Sequence, residues 1–340
     1  MNTLQPKTRV FPLLALIVIS TFMAEVLSGS TPFSRIQQLP AQFFFYGSAA
    51  ILIRGIVRRL GLGWTSIILL GFAFGLFTEG LTLQSIFNPH FLGLDITLGR
   101  DSGVNWVWGM FLTGLHAFWS ITGAILFTET LFPAHALDPW IGKLGLCICG
   151  VVLLLTGTAL HFLFIKMGHF NAPPIYFVLC VILIAILVLV ALKQPRISVY
   201  IRPEPESGNR SFIVIAGITF VAGMLWFVGM GTIFTFKGIP AWMPLTGGPL
   251  LLLVYFVLAR KWRLMAVTTR KTRLAAAAGL LLADLFLGYT GTTGNRLDHY
   301  AQIAMIILIL LWLVFLFRKL TIYGSKQESG SESIRSDVGA

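Results

Sequence analysis

Charge is scarce in this chain. Asp, Glu, Lys and Arg make up 11% of its 340 residues, against about 25% in an ordinary soluble domain. With a mean hydropathy of +0.84, such a domain is excluded. Cysteine is nearly absent as well. Cys147, Cys149 and Cys180 all fall in apolar stretches, so they read as small buried hydrophobes, and neither a disulfide framework nor a thiolate metal site is expected. Acidic residues number 13 against 25 basic ones, for a formal net charge of +12. That excess does not imply a nucleic-acid partner, because the basic residues sit in short gaps between apolar runs and lack aromatic interleaving on one surface. No two histidines lie four apart as in a helical zinc motif. The stretch from Gly288 to Gly294 lacks the Lys-Ser/Thr ending of a phosphate-binding loop. No metal or cofactor is therefore expected.

Apolar runs are abundant instead. Ten of them, at approximately 10–28, 41–58, 62–83, 104–131, 141–164, 173–192, 211–235, 241–259, 274–290 and 298–317, divide the chain. Most have the roughly 17–25 residues that cross a hydrocarbon layer. Their flanking charges alternate. Five gaps hold one basic residue each, Arg35, Arg100, Lys166, Lys237 and Arg296, and the other twenty lie in the alternate gaps, at the adjoining ends of the runs or at the two ends of the chain. Cytoplasmic loops retain Lys and Arg, so both termini are expected inside and the protein in the cytoplasmic membrane, with several passes. The first run carries Glu25 within it and reads as a retained signal-anchor. Trp64, Trp140 and Trp262 fall at inner edges, and Trp106, Trp108 and Trp242 at outer ones, as aromatic belts would. The expected organisation is an N-terminal part at 1–192 with six spans, a linker at 193–210, four spans at 211–320 and a disordered tail at 321–340.

Four acidic residues lie inside the spans: Glu25, Glu79, Glu129 and Asp284. Glu25 and Glu129 are near span ends, within reach of the interface. Asp284 is ten residues past Leu274, roughly 15 Å deep, and His116 is twelve past Val104, roughly 18 Å deep. A charge at that depth costs at least about 2.5–3.5 kcal/mol on insertion scales, so such groups face a protein interior or a watery cavity. Small residues share their helix faces. Gly71, Gly75 and Glu79 recur every four residues; Gly109, Thr113, His116, Ser120 and Gly123 form a second stripe; Thr21, Glu25 and Ser28 form a third. Stripes of this kind are close-packing faces. Glu25, Glu79 and His116 are therefore expected to converge, with Asp284, Gly288 and Gly291 joining them. The competing expectation is that these polar groups only glue helices together.

Four stretches carry a resemblance: Ala24 to Pro32 (AEVLSGSTP), Gly63 to Pro89, Gly103 to Ile121 (GVNWVWGMFLTGLHAFWSI) and Glu129 to Pro133 (ETLFP). They resemble an uncharacterised group of bacterial multi-pass membrane proteins over about the first 135 residues. In that group the third span often carries paired glutamates before Gly-Leu; here Thr78 takes the first place. A glutamate on one helix and a histidine on the next also resembles, in part, the CAAX-protease-like intramembrane peptidases. This chain departs from their motif at Thr78 and Leu83. Phe111 stands five residues before His116 where the motif has four, and no later span supplies the third element.

These features predict an all-α polytopic bundle of about ten transmembrane helices. The leading functional expectation is transport of a small solute or lipid-like molecule. Glu25, Glu79 and His116 would line an outward-facing cavity, with Ser120, Asn105 and Asp284 as further substrate contacts. An intramembrane hydrolase, with Glu79 activating water and His116 orienting it, is the alternative. A non-catalytic assembly or sensor protein is the third. Membrane lipids and a small-molecule substrate are the expected partners.

Overall fold

The computed structural model describes residues 9–94, 96–196, 200–201, 209–235, 238–262 and 267–338. Most of the expected linker at 193–210 lies outside the described residues. The apolar runs are helical because a backbone in hydrocarbon must satisfy its N–H and C=O groups internally. In chain order the helices are α1 (Val10–Thr21), α2 (Leu39–Leu60), α3 (Trp64–Leu76), α4 (Trp106–Leu115), α5 (Ala124–Leu131), α6 (Lys143–Gly168), α7 (Pro174–Leu192), α8 (Asn209–Thr235), α9 (Trp242–Lys261), α10 (Arg270–Gly291) and α11 (Arg296–Val338). A π-helical stretch joins α4 to α5 in one span. Among the described residues nine helices are long and apolar enough to cross a membrane, and a shorter one covers Val10–Val26. Strand is confined there to two pairs of two residues: β1 (Arg100–Asp101) runs antiparallel to β2 (Val104–Asn105), and β3 (Tyr200–Ile201) parallel to β4 (Val267–Thr268). α11 is free of proline and runs over Arg296–Val338.

Burial separates an inner set of helices from an outer one. Over an 18-residue stretch of each span, 78% is buried in Trp106–Leu131 and 61% in those containing α2, α3 and α10, against 6% in α6 and 11% in α7. The inner helices approach closely where the sequence places small residues. A Cβ on Gly75 would lie 2.7 Å from the Thr113 Cα, and one on Gly71 would lie 2.9 Å from the Ala117 Cα. Backbone therefore meets backbone along this seam, which sets the height of Glu79 on α3's extension against His116.

Two expectations need correction. Trp64, Trp108 and Trp140 are buried rather than set in interfacial belts, whereas Trp106 and Trp242 are exposed. Each buried indole has work inside the protein, against arginines or a serine. Cys147 is exposed on α6, whose sparse burial leaves most of its surface free; Cys180 is buried.

Candidate functional site

Three spans leave α-helical winding at the level of their polar residues. Phe22–Val26 after α1, Phe77–Thr82 after α3 and His116–Gly123 between α4 and α5 are all π-helical. Leu27 N donates to Phe22 O at 2.9 Å and Leu83 N to Thr78 O at 2.8 Å, each five residues back. The wider turn rotates the side chains that follow it, and π-bulges recur at functional sites. Glu25, Glu79 and His116 lie one in each segment.

The last two meet directly. His116 Nε2 is 2.8 Å from Glu79 Oε1, and Nδ1 is 3.2 Å from Ser120 Oγ. Ser85 donates its hydroxyl to Glu79 Oε2 and accepts from Trp108 Nε1 at 3.1 Å. With Glu79 ionised, the imidazole donates through Nε2 and accepts from Ser120 through Nδ1; a proton on Glu79 reverses those roles. Every polar atom of the pair is thus engaged in either arrangement. Glu79 is 3% exposed and His116 4%. The pair is consequently shut within the bundle instead of lining an open outward cavity.

Glu25 joins through an aromatic ring. Its Oε1 accepts from Tyr46 at 2.6 Å and its Oε2 from Thr31 Oγ1 at 2.8 Å, and Gln42 donates to the same threonine at 2.7 Å. The Tyr46 ring stacks on the His116 imidazole at 5.9 Å between centroids. Asn105 sits one layer away: it caps α4, accepting from Trp108 N at 2.8 Å, and donates to Ile96 O at 2.9 Å. It therefore reaches the pair indirectly, through Trp108 and Ser85 and through the Ile86 backbone, which accepts from Asn105 N at 2.9 Å and donates to Glu79 O at 3.4 Å. Asp284 is fully buried, and neither of its carboxylate oxygens has a hydrogen-bond partner among the described residues. It makes no hydrogen bond to Glu79 or His116. Gly288, a turn along, meets the Leu27 carbonyl closely at the end of the first π segment.

Glu129 requires the largest correction. It does not reach the interface but lies fully buried among three arginines. Arg54 Nε and Arg58 Nε contact its Oε1 at 3.0 and 2.7 Å, and Arg58 Nη2 and Arg273 Nη2 contact Oε2 at 2.8 and 2.7 Å. Arg54 further donates to the carbonyls of His135, Ala136 and Asp138, and its guanidinium lies 3.2 Å from the Trp140 ring centroid. This cluster ties α2, α5 and α10 to the turn that follows α5. Arg54 and Arg58 stand four apart inside an apolar run, and a pair of arginines on one helix face at that depth signals a buried acid.

Ser85 and Tyr46 are the site members that sequence reasoning missed. Among the described residues no three His, Cys, Asp or Glu side chains cluster so as to hold a metal ion.

Residues 14–322 match the model of an uncharacterized membrane protein family, and the chain belongs to that family. The match extends the likeness seen in the first 135 residues to nearly the whole chain. No curated protein and no solved structure matches.

Proposed function

We propose that this family member is a transporter of the cytoplasmic membrane, moving a small solute or lipid-like molecule with protonation of the Glu79–His116 pair as its coupling step. One observation carries the reading: three separate π-helical segments each bring one titratable side chain to one buried polar region, Glu79 and His116 in direct contact and Glu25 beside them through the Tyr46 ring. A packing role needs no such distortion, since a serine or threonine on regular helix already bonds across an interface. Burial of the pair corresponds to an occluded state, and opening would require the π segments to move against one another. The end carrying Arg54, Arg58 and Arg273 is the cytoplasmic one in this reading, and the loop at 84–103 is external. Reporter fusions at Arg270 and within that loop check this, and an external signal at Arg270 overturns it.

The coupling claim is tested by a thermal-shift screen of solutes and lipids on either side of about pH 6.5, the ordinary histidine value. A ligand is expected to stabilise the parent in a pH-dependent way and Glu79→Gln without that dependence. An identical pH response in the two proteins overturns the coupling role.

A second reading rests on the order Ser120, His116, Glu79. Hydroxyl, imidazole and carboxylate follow one another as in nucleophilic acyl transfer, and this favours an intramembrane hydrolase as the alternative. Covalent labelling of Ser120 by a fluorophosphonate, lost in Ser120→Ala, would select it over transport.

A further inference from the structure

The basic cluster has more positive charge than Glu129 can answer. Three guanidiniums surround one carboxylate, and buried N–H groups remain over: Arg58 Nη1, Arg273 Nε and Trp64 Nε1 have no hydrogen-bond partner among the described residues. These three donors belong together in space. The Arg58 and Arg273 guanidiniums lie 5.0 and 5.4 Å from the Trp64 ring centroid. Trp64 is itself 4% exposed. Unmet buried donors of this kind are costly and call for an acceptor, here an anionic one.

An apolar groove begins at the same indole. Trp64 and Thr65 at the start of α3 and Ala259 near the end of α9 mark the end beside the arginines, and Phe72, Phe118 and Leu280 line it farther along. Its volume is about 360 Å³, within the roughly 300–1,000 Å³ usual for small-molecule sites. A smaller apolar cavity of about 40 Å³ shares Phe118, Leu252, Tyr255 and Leu280 with it and continues inward. Leu253 on its rim is 59% exposed, so the groove opens sideways, where acyl chains lie.

We infer that this groove holds an acyl chain of an anionic phospholipid, whose headgroup phosphate accepts from Trp64 Nε1 and is drawn by the surplus charge of Arg58 and Arg273. An uncharged or soluble ligand fits less well. The walls, apolar apart from Thr65, Thr122 and Tyr255, match a hydrocarbon chain, while the unmet donors cluster at the Trp64 end, where a headgroup would sit. Anionic lipids are also the class attracted by basic pockets between membrane helices. The site is separate from the Glu79–His116 pair, and nothing in it depends on the transport reading.

The test is a native mass-spectrometry titration of the delipidated full chain. Its arms are phosphatidylglycerol, phosphatidylcholine with the same chains, and inorganic phosphate alone. Phosphatidylglycerol is expected to bind about tenfold tighter than phosphatidylcholine, and phosphate not to compete. Trp64→Phe keeps the ring and removes the donor, and should weaken phosphatidylglycerol about tenfold, the loss of one hydrogen bond to a charged group, and phosphatidylcholine as well, since its phosphate would use the same donor. Ile68→Trp, which fills the groove, should abolish binding of both lipids. Equal affinity of the wild-type protein for the two lipids overturns the proposal even if a variant fails to fold. So does effective competition by phosphate alone, or an unchanged phosphatidylglycerol affinity in a folded Trp64→Phe.

Discussion

The two buried polar clusters solve opposite problems. At the basic end, Glu129 is held by three fixed guanidiniums on regular α-helices, with backbone carbonyls and indoles taking up much of the remainder. Toward the other end, Glu79 faces a histidine and a serine, and Glu25 a tyrosine and a threonine, all on or beside π-helical turns. Arginine keeps its proton under all ordinary conditions, so the first cluster has one protonation state. Histidine and glutamate are the residue types that exchange protons in function, so the transport proposed above draws on the second. The difference teaches that burial of charge alone does not mark a functional site. A carboxylate locked by arginines is architecture, whereas one whose partners can also change protonation is free to take part in a cycle.

Substitutions that remove one feature at a time sharpen this contrast. Glu129→Gln should have the largest effect. It leaves three buried arginines without their counter-charge, and breaking a buried ion pair costs about 3–5 kcal/mol. Loss of the monodisperse peak in detergent chromatography is the expected readout, and a folded Glu129→Gln of parental thermal stability would remove the architectural reading. Gly75→Ala comes next, because the new methyl would lie 2.7 Å from backbone at Thr113. Overpacking of this sort costs about 1–3 kcal/mol, visible as a lowered melting temperature, and an unchanged value would show that the seam yields easily. Tyr46→Phe removes one hydrogen bond to Glu25, worth about 1.5–3 kcal/mol when the acceptor is charged and about 0.5–1.5 kcal/mol when it is neutral. Measured against the melting of Glu25→Gln, its cost reports which state Glu25 holds. Glu79→Gln should matter least for stability, within about 1 kcal/mol, since the amide preserves size and can still bond His116 and Ser85.

Much of this arrangement is legible in the chain itself. Hydropathy locates the spans because the bilayer demands length and apolarity of each helix separately. The Gly71–Gly75–Glu79 and Thr113–His116 stripes likewise point to one seam, since close approach needs small residues on both faces. Glu129 is harder to read. Its position two residues from a span end fits the interface equally well, and its three arginines lie 71, 75 and 144 residues away in sequence. The π-helical turns leave no mark in an apolar pattern, as they insert one residue without changing composition. Ser85 lies just beyond its helix in a loop, where a serine is ordinary, and Tyr46 reads as one more aromatic in a buried span.

The most direct test of the account is an infrared difference spectrum of the reconstituted protein between acid and neutral pH, taken on the parent and on Glu79→Gln. Proton uptake by a buried carboxylate gives a carboxyl stretching band distinct from that of exposed acids. The account expects such a band in the parent and the loss of a component of it in Glu79→Gln. An identical spectrum in the two proteins would mean that Glu79 keeps one protonation state throughout, as Glu129 does, and would contradict the division between the two clusters.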